Sequence, residues 1–235
     1  MPAVSGFAPS VPLYVRWGLL GDRAILLNLR TNVYIGLEGI AALMWKAVAD
    51  REEPRATMAH VVSRFQAPVE QVARDYEEFL RSLLEKGLLV YSLPIVRASR
   101  LQRECRTAKL SLLPAWVSML RIRWRLRKGR LAFAYVYAEA CPTGSPQRDD
   151  NELESALEAF KNAENLLLNH RASGDCLSRS LSLFVFLRRA GFSVIHKIGV
   201  ANAPFRAHAW VEAGGQPLFE EAERIARFTV LASLP

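Results

Sequence analysis

The chain has 235 residues, 51% of them apolar and 23% charged, enough to bury one large core or two small ones and too evenly composed for a disordered, fibrous or low-complexity protein. Thirty-one Lys and Arg against 23 Asp and Glu leave a formal charge of +8, a balance that points by default to an anionic partner. The excess is local: between Arg97 and Arg130 lie 11 basic residues and one acid, Glu104, so this stretch carries +10 and the remainder −2.

Three cysteines without paired spacing, Cys105, Cys141 and Cys176, and an N-terminal sequence without a basic start and apolar run suit a reducing cytoplasm. The most apolar run, residues 110–120, is about half the length needed to cross a bilayer and contains Pro114. It reads as core or interface.

In chain order, residues 13–17, 23–29 and 32–36 are short β-rich runs punctuated by Gly18, Gly21 and the Arg30-Thr31 corner, the pattern of a small antiparallel sheet. After Gly36 the period changes. Ile40, Leu43, Met44, Ala47 and Val48 form one helical stripe; Met58, Val61, Val62 and Phe65 form a second, with Pro54 near its start. A third runs through Val69, Val72, Tyr76, Phe79, Leu80, Leu83 and Leu84 and stops at Gly87. Three strands and then three helices predict a winged-helix-like domain over residues 1–93. A second α+β domain is expected over 94–235, opening with the basic segment 97–130.

In that segment residues 108–126 are expected to be helical, although the alternation of Arg121, Arg123, Arg125 and Arg127 with apolar residues also fits a strand. A loop at 142–150 precedes a helix through Leu153, Leu157, Phe160, Leu166 and Leu167. After a break at Ser173-Gly174-Asp175 a further helix is expected over 176–190, apolar on nearly every side and therefore buried. Residues 192–200 and 207–213 read as strands, with Gly214-Gly215 turning the chain into a strand over 216–220.

A cysteine attacks a carbonyl only as the thiolate, and the free amides at a helix N-terminus stabilise that anion and the oxyanion it generates. Cys176 stands at such a start; a small buried residue there is the other reading. His208 lies 32 residues on, and strand alternation places it on one face with Trp210 and Glu212. An imidazole so placed takes the thiol proton and returns it to a leaving amine, or serves only the core. Such a site needs a third group to orient the imidazole. Glu220, on the strand after the hairpin, is the candidate, with Glu221 beside it and a surface charge as the alternative. His60, His170 and His196 have no comparable setting.

The segments Ser173-Gly-Asp-Cys-Leu-Ser-Arg-Ser-Leu-Ser-Leu183, Leu187-Arg-Arg-Ala-Gly191, Ile198-Gly-Val200 and Phe205-Arg-Ala-His-Ala-Trp-Val-Glu212 resemble the leader peptidases of lasso peptide biosynthesis, within the transglutaminase-like cysteine protease superfamily. The segment from Asn32 to Trp45 and that closing on Lys86-Gly-Leu-Leu89 resemble the PqqD-like recognition element of ribosomal peptide pathways, so the chain looks like the fused form. The resemblance implies a papain- or transglutaminase-like protease domain with Cys176 as nucleophile, His208 as base and then acid, and an acidic third member, often Asp, at Glu220. It implies leader binding at Val33, Tyr34 and Ile35 by strand addition, with the face near Arg74 and Tyr76 completing the groove. It also implies a precursor peptide and an ATP-dependent cyclase as partners, and no metal or cofactor.

Two other readings stay open. One keeps the enzyme and changes the acceptor, giving an amidase or acyltransferase. The other makes the first domain a DNA-binding regulator, against which stand Glu70, Asp75, Glu77 and Glu78 around Gln71 and Arg74 on the third helix. The basic segment is expected to dock the precursor, the cyclase or the inner membrane face, or else to be an idle solvated surface.

Overall fold

The structure is a computed structural model, and it describes residues 9–91, 111–127, 131–141, 149–167, 176–202 and 204–235. By contact these fall into two compact units: residues 9–28 with 33–91, and residues 29–32 with those from 111 onward.

The first unit opens with β1 (Pro9–Ser10), followed by β2 (Val15–Leu20), β3 (Arg23–Asn28) and β4 (Val33–Leu37). The last three form an antiparallel sheet in that order, with β4 bonded to β3 alone among the described residues. Gly21, at φ 65°, makes the tight turn between β2 and β3, a backbone that a residue with a Cβ adopts at a cost. Helices α1 (Gly39–Ala49), α2 (Pro54–Phe65) and α3 (Val69–Glu85) follow, and β5 (Val90–Tyr91) returns to pair with β1, a small ladder the sequence did not announce. The expected three strands and three helices are all present, although Gly18, read as a separator, lies inside β2.

Pro54 occupies the first turn of α2, where its missing N–H costs nothing. Helix α3 ends as its glycine predicts. Gly87 takes φ 64°, its N–H donates to the Leu84 carbonyl, and the Leu88 N–H reaches back to Leu83, the paired closure of a Schellman cap. The core gathers Val15, Ala24, Leu26, Trp45, Val61, Val72, Tyr76, Leu83 and Leu88. Its centre is Trp45, fully buried and set edge-on to Trp17 with centroids 6.1 Å apart.

The second unit runs α4 (Leu112–Arg127), α5 (Leu131–Glu139), α6 (Asp150–Leu167), α7 (Cys176–Arg189), β6 (Val194–Ala201), β7 (Arg206–Ala213), β8 (Gln216–Pro217), α8 (Ala222–Ile225) and β9 (Thr229–Leu234). The four strands make an antiparallel sheet in the order β8-β7-β6-β9. Helix α7 lies against this sheet and against α4, with Leu181, Phe184, Phe186 and Leu187 fully excluded from water. Each such side chain contributes roughly 1.5–3 kcal/mol of transfer free energy. Gly191, at φ 95°, closes α7 with the same cap as α3.

The alternating arginine run is helical, as expected, because Ala115, Ser118, Met119 and Ile122 form a buried stripe at helical spacing that continues into it. Two other expectations are corrected. The strand expected over 216–220 ends at Pro217; Leu218 still bonds to the neighbouring strand, and Phe219, at φ 61°, then turns the chain out of the ladder. Helix α5, the short α8 and strand β9 complete a unit whose sequence had suggested fewer elements. The loop at 142–148, the break at 173–175 and residues 97–110 lie outside the described residues.

Candidate active site

The site is built outward from β7. Its register against β6 sets His208 opposite Gly199, Trp210 opposite Lys197 and Glu212 opposite Ile195, so one sheet face carries all six. His208 is nearly buried, and its ring lies almost parallel to that of Trp210, centroids 6.2 Å apart, with Phe228 at 5.4 Å. The Trp210 indole N–H donates to Glu212 Oε1 at 2.8 Å, and Lys197 Nζ donates to the other carboxylate oxygen at 2.6 Å. Gly199 is what lets this cluster close. A Cβ there would stand 2.8 Å from the Trp210 ring and 2.9 Å from Phe228 Cβ, below any ordinary contact.

Glu220 meets His208 directly: its Oε1 lies 3.1 Å from Nε2. A carboxylate can only accept, so Nε2 carries the hydrogen and the lone pair sits on Nδ1. Glu220 lies beyond the end of β8 and is aimed by the residue before it. The Leu218 N–H donates to the Val211 carbonyl at 2.8 Å, and Phe219 then takes φ 61°, a left-handed conformation unfavourable for an aromatic residue. Phe219 is held there from two sides, stacked on Phe160 of α6 at 6.3 Å and covered by the Arg179 guanidinium at 4.9 Å. Arg179 is in turn fixed by two bonds to Glu164, at 2.7 and 3.2 Å. The second oxygen of Glu220 receives exposed Arg224 at 3.3 Å, while Glu221 occupies the N-cap position of α8 without a side-chain capping bond.

Cys176 is the first residue of α7 and is partly exposed. It lines a small pocket together with Arg179, Ser180, Leu183, Leu218, Phe219 and Glu220. Cys176 and Glu220 thus share one cavity wall, and Glu220 also holds His208. Among the described residues no hydrogen bond joins the Cys176 thiol to the imidazole; the bonded pair is His208 with Glu220.

His196, set aside in the sequence, is a buried and hydrogen-bonded group of the second unit. It is wholly excluded from water, with Ser180 Oγ 2.9 Å from Nε2 and the Tyr135 hydroxyl 3.4 Å from Nδ1. Ser180 donates its own proton to the Leu177 carbonyl at 3.2 Å, so the imidazole N–H points to Ser180 and the Tyr135 hydroxyl donates to the ring. Burial drives its pKa down from 6.5 to about 3, so the ring is neutral. This series of hydrogen bonds ends at Leu177, the residue after Cys176. Arg179, Phe219, Glu164 and His196 were all missed by motif reading; Arg179 and Ser180 at least fall inside the segment that carries the resemblance.

In the first unit, Val33, Tyr34 and Ile35 lie on β4, whose other edge has no partner strand among the described residues. Val33 is exposed and Ile35 is packed partly against the core. Arg74 is exposed and donates to the Gln71 amide oxygen at 2.8 Å. Tyr76 departs from expectation: it is only 5% exposed and belongs to the core, so it supports that face from beneath. His60 lies on α2, and His170 lies outside the described residues.

The second unit is thus a mixed one in which a cysteine heads a buried helix and a strand histidine binds a carboxylate. Family comparison gives the class its name: the chain matches the transglutaminase-like superfamily over residues 116–233 and belongs to it. Residues 23–89 match coenzyme PQQ synthesis protein D. Among curated proteins it is similar to the microcin J25-processing protein McjB of Escherichia coli, with 25% identity over 135 residues, 54% of this chain and 61% of McjB. The chain therefore spans about three fifths of that relative's length. Among solved structures it is similar to TbiB1 in complex with the TbiA(beta) leader peptide, with 25% identity, covering 36% of this chain and 98% of that one at a TM-score of 0.34.

Proposed function

We propose that the protein is a leader peptidase of lasso peptide maturation, holding a precursor by its leader and hydrolysing the leader–core bond. The observation that carries the chemical half is that Glu220, which bonds His208 at 3.1 Å, lines the same pocket as Cys176. With Nε2–H committed to Glu220, Nδ1 is the nitrogen available to take the Cys176 proton. The thiolate adds to the scissile carbonyl, and the first-turn amides of α7 receive the oxyanion. As the intermediate collapses, the imidazolium hands its proton to the departing amine of the core peptide. Water then releases the leader from the thioester, with His208 again as base.

The binding half rests on the β4 edge that has no partner strand among the described residues and on the match of residues 23–89 to PqqD. A leader strand added there gains main-chain hydrogen bonds on one side and the α3 face around Arg74 on the other. The freed core would pass to an ATP-dependent cyclase. No helix among the described residues is long and apolar enough to cross a membrane.

The decisive experiment incubates precursor with wild type and Cys176→Ala and weighs the products. Wild type should yield free leader and free core, and Cys176→Ala neither, while binding labelled leader normally. Normal cleavage by that variant overturns the mechanism; an amine adduct in place of free leader assigns acyl transfer instead.

A further inference from the structure

Helix α4 buries one face, Ala115, Ser118, Met119 and Ile122, and leaves another uncovered. That second face is not polar. Leu113, Trp116, Leu120 and Trp124 recur at i, i+3, i+7 and i+11, one line down the helix, and are 67, 40, 42 and 55% exposed. Arg121 and Arg127 stand exposed on either side of this line, and the Arg125 guanidinium lies 6.0 Å from the Trp124 ring and 4.0 Å over the Tyr137 ring. On the next helix Phe133 and Val136 are each 62% exposed. No acidic residue occurs in the sequence between Glu104 and Glu139.

From this we infer that α4 is an in-plane docking surface for an anionic lipid bilayer. Two tryptophans and two leucines in a row, with Arg121 and Arg127 beside them on the same helix, match a headgroup boundary: the apolar chains enter it, the indoles sit at its polar edge, and arginines meet lipid phosphates. At about 1.5 Å per residue the 16-residue helix lays roughly 24 Å along such a surface. A protein partner is less favoured by the same features, because protein interfaces set both signs of charge around an apolar centre and α4, with α5 up to Ala138, carries no acid. Nucleic acid is less favoured still, since a line of exposed Leu and Trp side chains offers phosphates nothing. The surface lies outside the proposed active site and does not depend on that reading.

The test is flotation of the full chain with vesicles of phosphatidylcholine, with or without phosphatidylglycerol, at low and high salt. The expected result is binding to the phosphatidylglycerol vesicles at low salt, its loss at high salt, and none to phosphatidylcholine alone. Arg121→Gln with Arg127→Gln should weaken it roughly thirtyfold, at about a factor of five per charge. Trp116→Ser with Trp124→Ser should bring it to background while precursor cleavage in solution stays at the wild-type rate. Should the tryptophan pair fail to fold, wild-type protein with brominated lipids decides the matter, since inserted indoles are quenched. Absence of binding to phosphatidylglycerol vesicles at low salt, unquenched fluorescence, or a tryptophan variant that binds vesicles normally but loses a protein partner would each overturn the proposal.

Discussion

Glu220 shows how much structure one carboxylate needs to be useful. Its bond to His208 rests on Phe219, whose positive φ is held by Phe160, Arg179 and Glu164. On the proposed mechanism its charge stabilises the imidazolium. Glu220→Gln, which keeps shape and an acceptor but loses the charge, should slow single-turnover cleavage of precursor by roughly 10²-fold or more with leader affinity unchanged. A rate within a factor of two of wild type would remove Glu220 from the mechanism. His196 gives a second residue-scale prediction, in pH. The unfolded chain takes up a proton on it near 6.5, whereas the folded core refuses one until about 3. Stability is therefore intact above 6.5 and falls as pH drops through that window, by about 2 kcal/mol at about pH 5. His196→Phe should be less stable near neutrality yet lose less between about pH 7 and pH 5, as melting at the two pH values would show. His208 could be picked out in the sequence because its neighbours alternate in a way only a strand satisfies. His196 alternates equally well, but its partners Ser180 and Tyr135 are 16 and 61 residues distant, and nothing local marks them.

At the scale of elements, what could be read from sequence tracks how local the cause is. Helix α3 and its stop at Gly87 were legible because stripe and cap lie within one stretch of chain. Helix α5 was not: Leu131-Ala-Phe-Ala-Tyr-Val-Tyr-Ala is apolar throughout and gives no period to read. In α1 the stripe was read through Ile40 and Leu43, but Trp45 centres the core, since it meets Trp17 across from the sheet, and Ile40 is left 37% exposed. The glycines test these assignments. Gly87→Ala meets nothing nearer than the Tyr14 hydroxyl at 3.9 Å, so it should cost only the left-handed strain, about 1 kcal/mol in denaturant unfolding. Gly199→Ala has no room at all. It should cost about 1–3 kcal/mol and also slow cleavage, because Trp210, the ring displaced, lies against His208. Stability loss with an unchanged rate would show that the aromatic cluster only fills space.

Across the whole molecule, the +8 is the property most easily misread. Beside a winged-helix-like sheet and helices it suggests DNA, yet the excess lies in the segment 97–130, and its described part is a helix with arginines around exposed tryptophans. The two-unit plan carries a more specific consequence. If one unit holds the leader and the other cuts beyond it, the scissile bond reaches the thiol as an intramolecular partner, and the pocket needs little affinity of its own. Excess free leader should then raise KM for full-length precursor and leave kcat unchanged, while hydrolysis of a short peptide spanning only the junction, slow to begin with, should be indifferent to it. Titrating leader against both substrates, with product mass as the readout, separates tethering from activation. A leader that accelerates cleavage of the short peptide would mean that its binding switches the catalytic unit on; a leader without effect on the long one would mean that the first unit does not present the substrate.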